Sequence, residues 1–160
     1  MKRFTTLVTA LLMGFGLWST QAFALNGYAK QKVVYHVNYD NPKKQAGALR
    51  NIQNHINAVG AENLDLKVVM HGHGLSLLLE PEALVRVPKF KKANATEKMT
   101  AKIDNLKGQG VDFSVCANTV RGRKVNVDTD LYNVEKGDIV PSGVAELAHL
   151  QSQGYVYIKP

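Results

Sequence analysis

Short strand-type runs alternate with helix-type patterns along this chain, and this alternation restricts its fold more than any other feature. Lys32 to Tyr39 is rich in β-branched and aromatic residues and predicts the first strand. The first helix is predicted over residues 42–59, where apolar residues recur every three or four positions between the capping pair Asn41-Pro42 and a stop at Gly60. Repetition of this unit predicts a three-layer α/β/α domain with a mainly parallel sheet of about five strands.

The same alternation continues to the end of the chain. Further strands are predicted at residues 64–70, 111–115, 139–141 and 155–158. Helices are predicted after Asn94, which takes the cap position of a capping box, near Asp130, and after Ser142. Residues 80–92 contain two prolines and three lysines and predict a solvated loop.

The first 24 residues predict a secretory signal peptide. They combine a basic start at Lys2 and Arg3, an apolar core and an Ala-x-Ala cleavage site that ends at Ala24. The apolar core is short for a membrane span, which argues against an uncleaved anchor. We therefore expect a periplasmic or secreted protein without stable membrane insertion, in which residues 25–160 form a single domain.

The charge balance narrows the class of partner. Two of the 20 basic residues lie in the leader, which leaves 18 basic against 13 acidic residues in the remaining chain. A moderately basic surface attracts anions, acidic proteins or anionic lipid. The sequence shows no basic stripe interleaved with aromatic residues and no nucleic-acid motif, so nucleic acid is not an expected partner.

Cys116 is the only cysteine of the chain. It lies at the carboxyl end of the strand predicted at 111–115, where small and polar residues follow that can open a helix. Ligands and chemistry collect at this edge of open α/β sheets. The N–H groups of a helix start favour a thiolate, and Arg121, Arg123 and Lys124 follow within two turns. The alternative is a buried, inert cysteine that acts as a small hydrophobe.

Two histidines stand in the turn that follows the second strand. His71-Gly72-His73-Gly74 contains glycines that permit a tight turn or a close approach of the backbone to a ligand. A metal site at His71 and His73 is the weaker alternative, because no third ligand follows at a motif spacing. We favour a loop that lines the same pocket as Cys116, and no cofactor is expected.

The ordered set of segments resembles the DsrE/DsrF-like family. The residues that carry the likeness are His71-Gly72, Val115-Cys116-Ala117-Asn118-Thr119, and an ending that runs from Val140-Pro141-Ser142-Gly143-Val144-Ala145-Glu146-Leu147 to Gln153-Gly154-Tyr155-Val156-Tyr157-Ile158. The likeness spans nearly the whole chain after the leader and implies a flavodoxin-like fold and a tendency to form oligomers. In sulfur-relay members the cysteine at this place carries sulfur as a persulfide, and Cys116 is the matching residue. Those members are cytoplasmic, whereas this chain carries a leader.

Two functions from different classes follow. In the first, Cys116 accepts a sulfane sulfur and passes it on, as a sulfurtransferase-type carrier whose partner is a donor or acceptor protein or a small sulfur species. In the second, an oligomeric, non-enzymatic module binds a small anion or metal and the cysteine is structural. The predicted site residues are Cys116, His71, Gly72, His73, Asn118, Thr119 and Arg121.

Overall fold

Five strands form a single parallel sheet in the computed structural model, which describes residues 27–160. The signal peptide predicted at residues 1–24 lies outside the described residues. The strands are β1 (Gln31–Val37), β2 (Leu64–Met70), β3 (Asp112–Cys116), β4 (Ile139–Val140) and β5 (Val156–Ile158). Their order across the sheet is β4-β3-β2-β1-β5, and every neighbouring pair is parallel.

Helices cover both faces of this sheet. The α-helices are α1 (Pro42–Val59), α2 (Glu97–Gly108), α3 (Ala117–Arg123), α4 (Val127–Asp130) and α5 (Gly143–Ser152). Single 3-10 turns occupy Ala61–Asn63, Gly72–Leu77, Pro81–Val85 and Lys136–Asp138. Over residues 27–160 none of these helices has the length and apolar content that a membrane crossing requires.

The two faces of the sheet carry cores of unequal size. On one face the strands pack against α1 and α2 in a large cluster that includes Leu49, Phe113 and Ile103. Truncating a fully buried residue such as Leu49 to alanine would cost about 2–5 kcal/mol. On the other face, the smaller cluster joins strand residues such as Val34 to Leu147 of α5. The three-layer α/β/α prediction is therefore confirmed. Here β1 lies between β2 and β5, whereas in flavodoxin itself it lies between β2 and β3.

Local capping explains where α1 begins and ends and where α5 begins. The Asn41 side chain accepts a hydrogen bond from the Lys44 N–H at 3.0 Å, and Pro42 opens the helix. Gly60 ends α1 with φ at 91°, a conformation that favours glycine. Ser142 caps α5 by accepting from the Ala145 N–H at 3.4 Å. The caps predicted from the sequence at these positions are confirmed.

Other predicted boundaries were wrong. The first strand ends at Val37 rather than Tyr39. Thr96, not Asn94, is the N-cap residue of α2. Asn94 is buried instead, and its amide donates to the Gln45 side chain at 2.7 Å and to the Asp40 carbonyl at 2.9 Å. A buried amide must find partners, and here long-range ones replaced the local cap.

The loop predicted at residues 80–92 is more ordered than its composition indicated. It contains the 3-10 turn Pro81–Val85, and its apolar residues Ala83, Val87 and Phe90 are buried in the large cluster. The lysines that favoured a solvated loop are exposed. The segment therefore packs several of its apolar residues on the domain, while its charged residues and Val85 stay exposed.

The connections that leave β3 and β4 go to opposite faces of the sheet. Val120 of α3 packs against the large cluster, whereas α5 covers the smaller one. In open α/β sheets a crevice forms outside the carboxyl ends of two strands whose connections diverge in this way. The topology therefore places that crevice at Cys116, the last residue of β3, which pairs with Val140 of β4.

Candidate functional site: a cysteine where two helices begin

Cys116 is both the last residue of β3 and the N-cap residue of α3. Its neighbour Val115 points into the large cluster, so the alternation of the strand directs Cys116 to the α5 side. The side chain is only 5% exposed. The sequence correctly placed this residue at the carboxyl edge of a strand and at the start of a helix.

N–H and hydroxyl donors from the starts of two helices lower the pKa of the Cys116 thiol. Burial alone would raise the pKa of the thiol, but the N–H of Gly143, the hydroxyl and N–H of Thr119 and the N–H of Asn118 donate to the sulfur and together lower the pKa. Gly143 begins α5, and the other two residues belong to the first turn of α3. A thiolate at this point is therefore stabilised by donors from two helix starts.

Gly143 permits this arrangement because it has no side chain. A Cβ at this position would lie 2.9 Å from the Cβ of His71 and 3.2 Å from the Cβ of Cys116. The first distance is shorter than real Cβ contacts allow, so the N-terminus of α5 reaches the sulfur only with glycine here. The same distances show that the side chains of His71 and Cys116 both lie close to Gly143, the first residue of α5.

Thr119 connects the cysteine to the turn after β2. Its hydroxyl accepts a hydrogen bond from the Gly72 N–H at 2.8 Å and also contributes to the lowered pKa of Cys116. Gly72 has φ at 57°, which is the left-handed region that glycine adopts without strain. The predicted pocket residues Gly72 and Thr119 thus meet at Cys116.

The basic residues after the cysteine point elsewhere. The Arg121 guanidinium donates to the Asn118 side chain on the surface of α3. Arg123 donates to the Lys89 carbonyl at 2.6 Å and lies over the Phe90 ring at 4.4 Å. The lowered pKa of Cys116 therefore comes from backbone and hydroxyl donors, and the arginines named in the sequence analysis have their own partners.

A chain of three aromatic side chains lies beside the cysteine. The Tyr157 hydroxyl is 2.6 Å from Nδ1 of His36, and Nε2 of His36 is 2.7 Å from Nε2 of His71. The two imidazole rings also stack, with their centroids 4.7 Å apart. His36 pairs in register with Val69, two residues before His71. The histidines therefore sit on the α5 face of neighbouring strands, next to β3.

Both histidines are held neutral. Burial, the charge of His71 and that of Lys159 lower the pKa of His36 to about 4. Burial and Lys159 also lower the pKa of His71. At neutral pH the pair therefore shares a single proton between its two Nε2 atoms, which is what the short separation requires.

His71 and His73 diverge. His73 is exposed and lies 3.9 Å from the Asp40 carboxylate, whereas His71 faces His36. Over residues 27–160 no three His, Cys, Asp or Glu side chains come close enough to hold a metal ion. The weak metal alternative at His71 and His73 thus gains no support from the positions of these side chains.

A basic cleft of about 600 Å³ lies along α3. Its lining residues are His73, Pro88, Lys89, Lys91, Asn118, Thr119, Gly122 and Arg123. It contains two of the predicted pocket residues, Asn118 and Thr119, and no acidic side chain. An anion that enters this cleft would approach the first turn of α3, whose N–H groups face Cys116.

Sequence reasoning missed His36, Gly143 and Tyr157. His36 was read only as one residue of a β-rich run, although its place two residues after Val34 puts both on the same strand face. Gly143 stood in the segment that carries the family likeness but was given no role. Its role depends on where α5 lies relative to β3, which no local pattern encodes.

The comparisons with known proteins agree with the fold and with the resemblance. The sequence profile of the DsrE/DsrF-like family matches residues 31–160. The solved structure of MTH1491, a protein of unknown function from Methanobacterium thermoautotrophicum, is similar with 27% identity and a TM-score of 0.64, and covers 82% of this chain and 100% of that one. The structure of the ychN protein from E. coli has the same fold, with 16% identity, a TM-score of 0.54, and coverage of 83% and 100%.

No curated protein matches the chain. The family profile covers most of the chain and all five strands, and it includes Cys116, both histidines of the stacked pair and the start of α5. The chain therefore belongs to the DsrE/DsrF-like family.

Proposed function

We propose that this protein is a sulfur carrier in which Cys116 takes up a sulfane sulfur as a persulfide and hands it to an acceptor. The observation that carries the proposal is that Cys116, the only cysteine of the chain, lies where α3 and α5 both begin, and that N–H and hydroxyl donors of these helix starts lower its pKa. Membership of a family associated with sulfur relay supports it. A cysteine that only filled space would lie among apolar atoms and would have a raised pKa.

The reaction needs no oxidant or reductant. The Cys116 thiolate attacks the outer sulfur of a donor R–S–SH, a sulfur–sulfur bond forms on Cys116, and the sulfur–sulfur bond of the donor breaks. The thiolate R–S⁻ leaves with the electron pair and is then protonated. The donors on Cys116 stabilise the attacking thiolate and afterwards the inner part of the persulfide.

Mass spectrometry tests this directly. After incubation with polysulfide and removal of the excess, the wild type should gain the mass of one sulfur atom, about 32 Da, and dithiothreitol should remove it. The Cys116→Ser variant should gain nothing. If the wild type stays unmodified while iodoacetamide labels its native thiol, the carrier function is wrong.

A second candidate function is anion binding without sulfur chemistry. The basic cleft lined by Lys89, Lys91 and Arg123 favours it, since no acidic side chain opposes a bound anion there. In this case the Cys116→Ser variant would bind thiosulfate or sulfate as well as the wild type does in calorimetry, and neither protein would retain sulfur. Retention of sulfur by the wild type alone would exclude this function as the main one.

We also propose that the protein acts outside the cytoplasm and associates with itself. The signal peptide predicted to end at Ala24 supports export, and N-terminal sequencing of exported protein should begin at Leu25. Val144 is an apolar side chain of α5 that is 65% exposed, and it supports an interface between copies of the chain at the outer face of this helix. Sedimentation of the wild type and of Val144→Asp should show whether this face forms it.

A further inference from the structure

The basic cleft along α3 carries three cations that no carboxylate neutralises. Lys89 and Lys91 come from the segment before α2, and Arg123 is the last residue of α3. Within residues 27–160 none of the three forms a salt bridge, whereas other lysines and arginines of this part of the chain do. The carboxylate of Asp40 lies 3.9 Å from the exposed His73 ring at one end of the cleft. The remaining positive charge is available to an anionic ligand.

Two of these cations are held in place by contacts between the walls of the cleft. The Lys89 ammonium donates to the Gly122 carbonyl at 2.6 Å, and the Arg123 guanidinium donates to the Lys89 carbonyl at 2.6 Å. These contacts fix the charges before a ligand binds, which lowers the entropy that binding would cost. Lys91 differs, because it is exposed and its side chain has no hydrogen bond or salt bridge within the described residues. Its charge can therefore be changed without loss of a structural contact.

A second cleft of similar size shows that the single sign of charge is specific to this site. This second cleft has a volume of about 490 Å³ and lies at the amino ends of the strands, at the opposite edge of the sheet. Its charged lining residues are two lysines and two acids: Lys30, Lys32, Glu62 and Asp65. Opposite charges cancel there, so a basic composition alone does not produce a cleft that selects anions.

The cations lie too far along α3 for a small anion to contact them and the cysteine together. Arg123 follows Cys116 by seven residues, which is about 10 Å along a helix that rises 1.5 Å per residue. The cleft extends from Arg123 to Asn118 and Thr119, and Thr119 also contributes to the lowered pKa of Cys116. An anion of the size of sulfate would occupy one end of this distance. An extended polypeptide spans it with about three residues.

We propose that the basic cleft binds an acidic segment of the protein that exchanges sulfur with Cys116, with the partner's cysteine about three residues from its carboxylates. The inference rests on the proposed sulfur transfer, and it adds the chemical class of the partner. A persulfide P–S–SH on the partner gives its outer sulfur to the Cys116 thiolate. The partner's sulfur–sulfur bond breaks, and P–S⁻ leaves with the electron pair and takes a proton from water.

The cleft suits a polypeptide better than the surface of an anionic membrane. Apart from Pro88 and Gly122 its lining residues are polar or charged. The aromatic ring beside it, Phe90, is 4% exposed and lies beneath the Arg123 guanidinium. Binding to a membrane surface needs apolar side chains that enter the headgroup region, and a concave cleft of cations does not present them.

Binding of two model peptides tests the cleft. The first is a labelled peptide of one serine, three glycines and three glutamates, and the second has glutamines in place of the glutamates. In fluorescence anisotropy at low salt the wild type should bind the glutamate peptide on the order of tenfold more tightly, and about 0.5 M salt should remove most of this difference. Lys91→Glu should weaken the binding about fivefold to tenfold. Lys30→Glu makes the same change of charge at the second cleft and should alter binding by less than about twofold.

Sulfur loading tests whether the bound segment serves Cys116. The same peptides are used with a persulfidated cysteine in place of the serine, and mass spectrometry follows the sulfur on Cys116. Below saturation the glutamate peptide should load the wild type on the order of tenfold faster than the glutamine peptide. Lys91→Glu should remove this difference, while loading by a neutral alkyl persulfide should stay within about twofold of the wild type. Removal of the three glycines should also slow loading, because the cysteine would then not reach Cys116.

The outcomes separate the cleft from the carrier function. Equal binding of the two peptides, or equal effects of Lys91→Glu and Lys30→Glu, would overturn the proposed partner. Tighter, Lys91-dependent binding to phosphatidylglycerol vesicles than to the glutamate peptide would assign the cleft to a membrane. If the neutral persulfide loads Cys116 and the glutamate peptide has no advantage, the carrier function stands and the acidic partner is wrong. If the glutamate peptide binds through Lys91 and no donor loads Cys116, the carrier function fails and the cleft remains a site for an acidic segment.

Discussion

Asp130 and Cys116 are buried side chains that can carry negative charge at neutral pH, and the fold stabilises their charges in different ways. Asp130 is 2% exposed and receives the Arg86 guanidinium at 2.7 and 2.9 Å together with the Asn126 N–H at 2.9 Å. Cys116 is equally enclosed and receives N–H and hydroxyl donors alone. One anion has a fixed counter-charge, and the other has only dipoles.

The difference separates a structural anion from a reactive one. The Arg86 pair neutralises Asp130 permanently and ties α4 to the 3-10 turn at Pro81–Val85. A cation in contact with Cys116 would hold its charge in the same way and would oppose the transfer of that charge to a departing sulfur. Dipoles stabilise a thiolate and still let the charge move, which is what a nucleophile requires.

Removing the structural anion should have the largest effect. Asp130→Asn should lower the free energy of unfolding by about 2–4 kcal/mol, because one amide oxygen cannot serve both the Arg86 guanidinium and the Asn126 N–H. Urea unfolding measures this. Cys116→Ser is the matched change at the other anion and should cost about 1 kcal/mol or less. Equal losses in the two variants would mean that both anions are structural.

The sequence predicted the fold better than it predicted this contrast. Periodicity placed α1 and β2 at their observed bounds, because both depend on patterns within one segment. The link between Arg86 and Asp130 joins residues 44 positions apart, and nothing local marks either partner. The same applies to Gln45, a polar residue on α1 that is fully buried because Ser76 and Asn94 complete its hydrogen bonds.

The sequence likewise predicted some features of the candidate site and not others. Cys116 could be found because a lone cysteine at a strand end is a local signal. The two helix starts that meet there could not, because they depend on α5 crossing to the opposite face of the sheet from α3. His36 and His71 come from neighbouring strands, and their pairing follows from strand order, which the alternation of strands and helices leaves undetermined.

The contribution of α5 to the Cys116 thiolate can be tested at Gly143. Gly143→Ala should displace the start of α5, since its Cβ would lie 2.9 Å from that of His71. We expect a loss of about 1–2 kcal/mol and a raised thiol pKa, so iodoacetamide should react more slowly at neutral pH. Gly122→Ala is the control, because nothing lies within 4 Å of its Cβ. Unchanged alkylation in Gly143→Ala would show that α5 does not activate the sulfur.

His36 and Asp130 should lose their contributions to stability in different pH ranges. The pKa of His36 falls from 6.5 to about 4 on folding, so its contribution to stability is complete above pH 6.5 and is lost as the pH falls towards 4. Burial alone would raise the pKa of Asp130, but the Asn126 N–H and Arg86 lower it below 3.8, so its contribution is lost only at more acidic pH.

Urea unfolding at a series of pH values measures both windows. The groups that face His36 are His71, Tyr157 and Lys159. His36→Gln should flatten the stability curve between pH 6.5 and 4 and leave the fall at lower pH unchanged. An unchanged slope in this variant would mean that the histidine pair does not resist protonation in the folded protein.

The smallest effect should come from a single hydroxyl. Thr119 relays a hydrogen bond from the Gly72 N–H to the Cys116 sulfur, so Thr119→Val removes one of four donors and leaves the Gly72 N–H without its acceptor. Loss of this donor should raise the thiol pKa, and the loss of the acceptor for the Gly72 N–H should cost about 1 kcal/mol of stability. The pH dependence of alkylation should therefore shift upward. Thr119→Ser keeps the hydroxyl and should behave as the wild type. If the valine and serine variants shift the thiol pKa equally, the methyl group of Thr119 and not its hydroxyl affects Cys116. The Thr119 hydroxyl would then not be one of the donors that stabilise the thiolate.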